Sequence, residues 1–190
     1  MAAGAIDNVV DVLQSGRTME AKENAAAAVF SLSIIDDYKV IIGAHPRAIP
    51  ALVGLLGEGT PADDKAGVTD DALAVLALLL GCPEGLEEIR KSRSLISLLI
   101  DLLRFGSSKG KENSITLLLG LCKDGGEDVA RRLLMNPRSI PSLQSLTTDG
   151  SLKARRKADA LLRILNRCCS SDKSYWMMHV KFVSNDKLCK

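Results

Sequence analysis

Four groups of residues in this chain are of types that do chemistry, and spacing decides what each is worth. Gly106-Ser107-Ser108-Lys109-Gly110-Lys111-Glu112-Asn113 resembles a phosphate-binding loop. In such a loop backbone N–H groups and a lysine hold phosphates, and a Ser or Thr holds magnesium. Here the glycines are one residue closer together than that motif requires, and Glu112 stands in place of the Ser or Thr. The flanking apolar pattern is helical, with no preceding strand, so a turn between helices is expected. Lys153-Ala154-Arg155-Arg156-Lys157 has the make-up of a nuclear import signal or a phosphate contact. Its cations lie at a helix start and oppose the macrodipole, although short basic clusters on terminal repeats usually only solvate a surface. His45 and His179 are the only histidines. Neither is arranged against a Ser or Cys with an acid partner, so no catalytic residue is expected. The five cysteines (82, 122, 168, 169 and 189) form no C-x-x-C. Their odd number and spacing imply a reduced, intracellular setting, no metal site and no cofactor.

The elements that would position such residues are helices. Hydrophobic residues make up 46% of the 190 but aromatics only 3%, so the core is built from Leu, Ile, Val and Ala. With 25% charged residues, that mixture favours packed helices over a sandwich or barrel. A net charge of +2 gives no electrostatic case for nucleic acid. No secretory leader is expected, since Asp7 and Asp11 interrupt the first apolar run. The longest such run, Ala72 to Leu80, is too short to span a bilayer.

The chain also repeats itself. One helical segment recurs with Ile6, Ile49, Ile96 and Ile140 at its start, spaced 43, 47 and 44 residues apart. A second, longer segment recurs with Glu23, Asp70, Glu112 and Arg156 near its start, spaced 47, 42 and 44 apart. A short amphipathic piece precedes the first kind at Tyr38–Gly43, Gly85–Arg90 and Asp128–Leu134. Glycines 16, 57, 106 and 150 follow the medium helices. Helices in the order short, medium, long at this period form the armadillo arrangement. Each unit leaves its apolar face for the next, so the expected fold is an all-α, right-handed solenoid of about 3.5 repeats. Its domain is expected over residues 4–169, with a partial repeat at 4–33 and repeats at 37–81, 84–123 and 126–168. Residues 170–190 contain Tyr175, Trp176 and Phe182 without helical periodicity, and are expected to form a flexible non-repeat tail.

In detail the sequence resembles the C-terminal armadillo region of the plant U-box ubiquitin ligases. The resemblance is carried by "AKENAAAAVFSLS" (21–33), "HPRAIPALVGLLGEGTP" (45–61), "VTDDALAVLALLLGCPEG" (68–85), "SKGKENSITLLLGLC" (108–122) and "DGSLKARRKADALLRILNRCC" (149–169). It implies a protein-binding module that recognises a partner in a ubiquitin-ligase context, located in the cytoplasm, the nucleus or both, and without the catalytic U-box. A stand-alone adaptor with no link to ubiquitin, or part of an active ubiquitin transferase, are the alternatives.

In armadillo solenoids the long helix lines the concave groove, and import receptors carry a Trp and an Asn four residues apart there. The matching pairs here are Ala27/Ser31, Ala74/Leu78, Thr116/Gly120 and Ala160/Ile164, which excludes that peptide-gripping ladder. One turn earlier stand Glu23, Asp70, Glu112 and Arg156. The expected partner-binding groove therefore comprises Glu23, Ala27, Ser31, Asp70, Ala74, Leu78, Glu112, Thr116, Arg156 and Ala160. Val9, Val10, Val12 and Leu13 are expected to leave an apolar N-terminal end open to self-association.

One junction is irregular. From the last Leu of the medium helix to the charged position of the long helix, three junctions measure 10, 9 and 10 residues, but Leu56 to Asp70 measures 14. The stretch holds two turn signals, one at Gly57–Pro61 and one at Asp63–Asp71, with Thr69 as candidate N-cap. A whole repeat missing between Pro61 and Asp63 accounts for both.

Overall fold

A computed structural model describes residues 2–58 and 66–171, with backbone alone at 2, 3, 58, 66, 125, 126, 170 and 171. The elements in chain order are α1 (Ala2–Ser15), α2 (Met19–Ser33), α3 (Asp36–Ala44), α4 (Ala48–Glu58), α5 (Ala66–Leu79), α6 (Pro83–Lys91), α7 (Leu95–Phe105), α8 (Ser108–Met135), α9 (Ser139–Asp149) and α10 (Leu152–Ser171). Among the described residues there is no strand. Helix lengths recur: α3 and α6 have 9 residues, and α4, α7 and α9 have 11. The described residues form an all-helical solenoid. The tail expected from 170 onward lies outside the described residues from 172 on.

Apolar spacing explains the stacking. Ile6, Val10 and Leu13 lie on one face of α1, and Ile96, Ile100 and Leu103 repeat that pattern in α7; all six are buried. Of the four residues expected to leave the N-terminal end open, Val10 and Leu13 therefore belong to the core because α2 and α4 cover that face, Val9 is half-buried and Val12 alone is exposed. One continuous core runs from Ile6 to Leu165, so each helix is covered by the next unit as well as by its own. α3 meets α6 closely: a Cβ on Gly43 would come within 2.8 Å of the Gly85 backbone nitrogen. The Cys82 thiol also donates to the Lys39 carbonyl at 3.8 Å.

The turns into the long helices share one design. At α7–α8 and α9–α10, Gly106 and Gly150 donate their N–H groups to Leu102 and Leu146 at 2.9 and 3.1 Å. Their φ values are −72° and −75°, so conformation does not demand glycine. Space does: a Cβ would lie 2.5 and 2.4 Å from those same carbonyl oxygens. The next residue caps the following helix. Ser107 accepts from the Gly110 N–H at 2.8 Å and Ser151 from the Ala154 N–H at 3.2 Å. Thr18 does the same for Ala21 at the start of α2.

Two local features differ from the sequence expectation. α5 starts at Ala66, which puts Thr69 inside the helix, 9% exposed, rather than at its N-cap. The short piece at Asp128–Leu134 is not a separate helix, because α8 runs unbroken for 28 residues through Gly125-Gly126. Where α6 begins, Pro83 lacks the N–H a continuing helix needs. No proline interrupts 121–135. Leu118, Cys122, Val129 and Leu133 form one buried stripe across both halves. That anchoring outweighs the roughly 1 kcal/mol that each glycine costs in a helix interior.

Candidate functional site

The long helices α2, α5, α8 and α10 stack side by side, and this brings the expected groove positions into one row. Glu23, Asp70, Ala74, Leu78, Glu112, Thr116 and Ala160 are half-buried, and Ala27, Ser31 and Arg156 are exposed. The row is paved with short side chains. Ser31 donates to the Ala27 carbonyl at 2.9 Å and Thr116 to the Glu112 carbonyl at 2.6 Å, so both hydroxyls turn back onto their own helices. Gly120 is small for a packing reason, since a Cβ there would meet the Leu80 side chain at 2.8 Å.

Two acids of the row serve a purpose that sequence reading did not assign to them. Ser107 donates to the Asp70 carboxylate, with both oxygens 2.7 Å away, and Ser151 donates to Glu112. Each acid thus fixes the N-cap hydroxyl of the next long helix. The signal was legible: Thr18, Ser107 and Ser151 each stand five residues before Glu23, Glu112 and Arg156. Lys157 adds a further strut by donating to the Thr116 hydroxyl. Beside Asp70, burial pushes the Asp71 carboxyl up, the Asp70 charge adds to the rise, and Lys109 opposes it.

The chemical motifs resolve into structural roles. The phosphate-loop look-alike is the α7–α8 turn, and a Cβ on Gly110 would lie 2.9 Å from Asp70 Oδ1. A carboxylate occupies the space where that motif would seat an anion. In the basic cluster, Arg155 donates from Nε to the Gly150 carbonyl at 2.6 Å, while Lys153 and Arg156 are exposed. His45 Nε2 lies 2.9 Å from Asp7 Oδ1, and its Nδ1 accepts from the Arg47 N–H at 3.2 Å. It straps α4 to α1. Burial, with the neighbouring Cys168, pushes the Cys122 thiol up to about 12, which suits packing and not nucleophilic attack. No cluster able to hold a metal occurs among the described residues. No single described helix is long and apolar enough to cross a membrane.

The medium helices form a second layer with its own ties. Arg47, just before α4, pairs with Asp11 of α1. Arg138, just before α9, pairs with Asp101 of α7 at 2.6 Å, as an ion pair rather than an aligned hydrogen bond.

Comparison with known proteins decides the relationship. The sequence is 66% identical to U-box domain-containing protein 1 of Medicago truncatula over 212 residues, covering 90% of this chain and 30% of that protein. The chain matches a region of the plant U-box domain-containing proteins. It is also 36% identical to U-box domain-containing protein 17 of Arabidopsis thaliana over 157 residues, covering 82% of this chain and 20% of the relative. The chain therefore spans less than a third of the length of either relative. No family model matches it. Among solved structures, the crystal structure of an engineered protein from the Northeast Structural Genomics Consortium superposes with a TM-score of 0.68 over 97% of this chain and 75% of that one. At 19% identity it bears on the fold alone.

Proposed function

We propose that this U-box-family chain is a protein-interaction module of the armadillo type. It recognises a partner in a ubiquitin-ligase context, in the cytoplasm or nucleus, and has no catalytic step of its own. The observation that carries this reading is the row along α2, α5, α8 and α10, where equivalent positions of stacked helices stay half-buried or exposed while the core beneath is closed. Short side chains such as Ala27, Ala74 and Ala160 let a polypeptide approach the helix backbones, and Glu23 and Arg156 lie at opposite ends of the row. A surface of this kind binds by shape and by spaced polar contacts.

The test is site-specific photocrosslinking in plant cells, with the crosslinker at Ala27, Ala74 or Ala160. Ser97 and Gln144, exposed on the medium helices, serve as controls. One partner common to the row positions, itself carrying ubiquitin, is expected. Crosslinks from Ser97 and Gln144 alone would overturn the assignment. A partner never found ubiquitinated would detach the surface from the ligase context. Self-association through what the α1 end leaves exposed, chiefly Val12, is checked separately by light scattering over a range of concentrations.

A further inference from the structure

The four medium helices are joined at three places, and one of them differs. Asp11 and Asp101 each stand five residues after the leading Ile of their helix, and Arg47 and Arg138 each stand two residues before the leading Ile of the next. These pairs tie α1 to α4 and α7 to α9. At the α4–α7 joint the same two positions are Gly54 and Ser94, which can form no ion pair. A cleft of about 500 Å³ opens there instead, lined by Ile49, Val53 and Gly54 of α4, Leu98 of α7, and Glu88 and Lys91 of α6.

The connection beside this joint is irregular as well. From the last Leu of the medium helix to the charged position of the long one, the sequence holds 14 residues here, Leu56 to Asp70, against 10, 9 and 10 at the other junctions. The match to the Medicago relative points the same way. It extends over 212 residues while covering 90% of this 190-residue chain, or about 171, so about 41 positions of the relative face no residue here. That surplus is one repeat period. The Arabidopsis match, at 157 residues over 82% of the chain, or about 156, has no such surplus. Like repeats also align one period out of step, which closes a gap of this size.

We propose that the chain lacks one whole repeat of its relatives between Glu58 and Ala66, and that the untied α4–α7 joint this creates is the compliant point of the solenoid. Every unit presents equivalent faces, so removal of a full period lets α3 receive α6 and α2 receive α5. Side-chain ties specific to one pair of neighbours are lost. Gly54 and Ser94 are two such ends, brought together without having been matched.

Spin-label distance measurements on the full chain test this. Labels are carried on unnatural residues, so that the native cysteines stay in place. Gln14, Gly57, Arg104 and Thr148 each lie eight residues after the leading Ile, and all are exposed. The 57/104 distance distribution is expected to be broader than those of 14/57 and 104/148; equal widths would refute the compliant joint. A Cβ at Gly54 meets nothing within 4 Å, so the double variant Gly54→Asp/Ser94→Arg has room to install the tie. It is expected to narrow the 57/104 distribution alone, and a distribution left unchanged would count against the joint. Inserting the relative's surplus stretch between Pro61 and Asp63 is expected to lengthen 57/104 by about one helix spacing, roughly 10 Å. An unchanged distance, with the insert looped out, or a chain that no longer folds, would sink the missing repeat.

Discussion

Between α8 and α10 one unit is fastened to the next by Ser151 on Glu112, a half-buried hydroxyl–carboxylate contact that also caps a helix. Between α7 and α9 it is fastened by Arg138 on Asp101, whose side chains are 51% and 38% exposed. The first kind of tie fixes position, because its geometry and the cap must be satisfied together. The second is mainly charge, and water and salt weaken it. The long-helix layer therefore sets the register of the stack, and the medium-helix layer trims it.

Substitutions can break that contrast, beginning with the turns that both layers share. Gly150→Ala pushes a Cβ against the Leu146 carbonyl and is expected to cost about 1–3 kcal/mol. Gly54→Ala in open space is expected to be neutral or stabilising by up to about 1 kcal/mol. Denaturant unfolding of the two variants separates strain at the turn from the general effect of adding a methyl group. Ser107→Ala removes a cap and leaves Asp70 without its donor, and a loss of about 1–2 kcal/mol is expected. That loss should persist at high salt. Arg138→Ala is expected to cost at most about 1 kcal/mol, with the loss fading in 1 M NaCl, roughly where the screening length falls to 3 Å. Equal salt sensitivity of the two variants would erase the difference between the layers.

The smallest expected effect is one of pH. Asp71 has its folded-state pKa raised above the ordinary value of 3.8, chiefly by burial. Its contribution to stability is fully present below that unfolded value and is lost as pH rises through the folded one. Asp71→Asn is neutral throughout, so it is expected to be more stable than the parent near neutrality and to lose that advantage below 3.8. Unfolding midpoints measured across pH for both chains check the sign.

Much of the fold was legible because a solenoid writes each unit into the sequence separately. Ile6, Ile49, Ile96 and Ile140 announced the medium helices, and glycines 16, 106 and 150 marked their ends. Two things were less visible. Gly125-Gly126 reads as a break by local propensity, but the buried stripe Leu118, Cys122, Val129 and Leu133 holds α8 straight through it, and that stripe is a tertiary fact. Asp70 and Glu112 read as groove charges because they fall on the outward side of their helices. Their partners lie 37 and 39 residues away, one period on, and only stacking reveals them.

The unbroken α8 has a consequence for how the chain comes apart. It is about 42 Å long at 1.5 Å per residue, and its first half follows α7 as the long helix of one unit while its second half, over 128–134, takes the short-helix place in the unit of α9 and α10. In a one-dimensional Ising description, neighbouring units are separate spins coupled by their interface. Here a shared ladder of backbone hydrogen bonds makes two of those spins one. The C-terminal half is expected to melt in a single step, and stepwise fraying to be confined to the units before it.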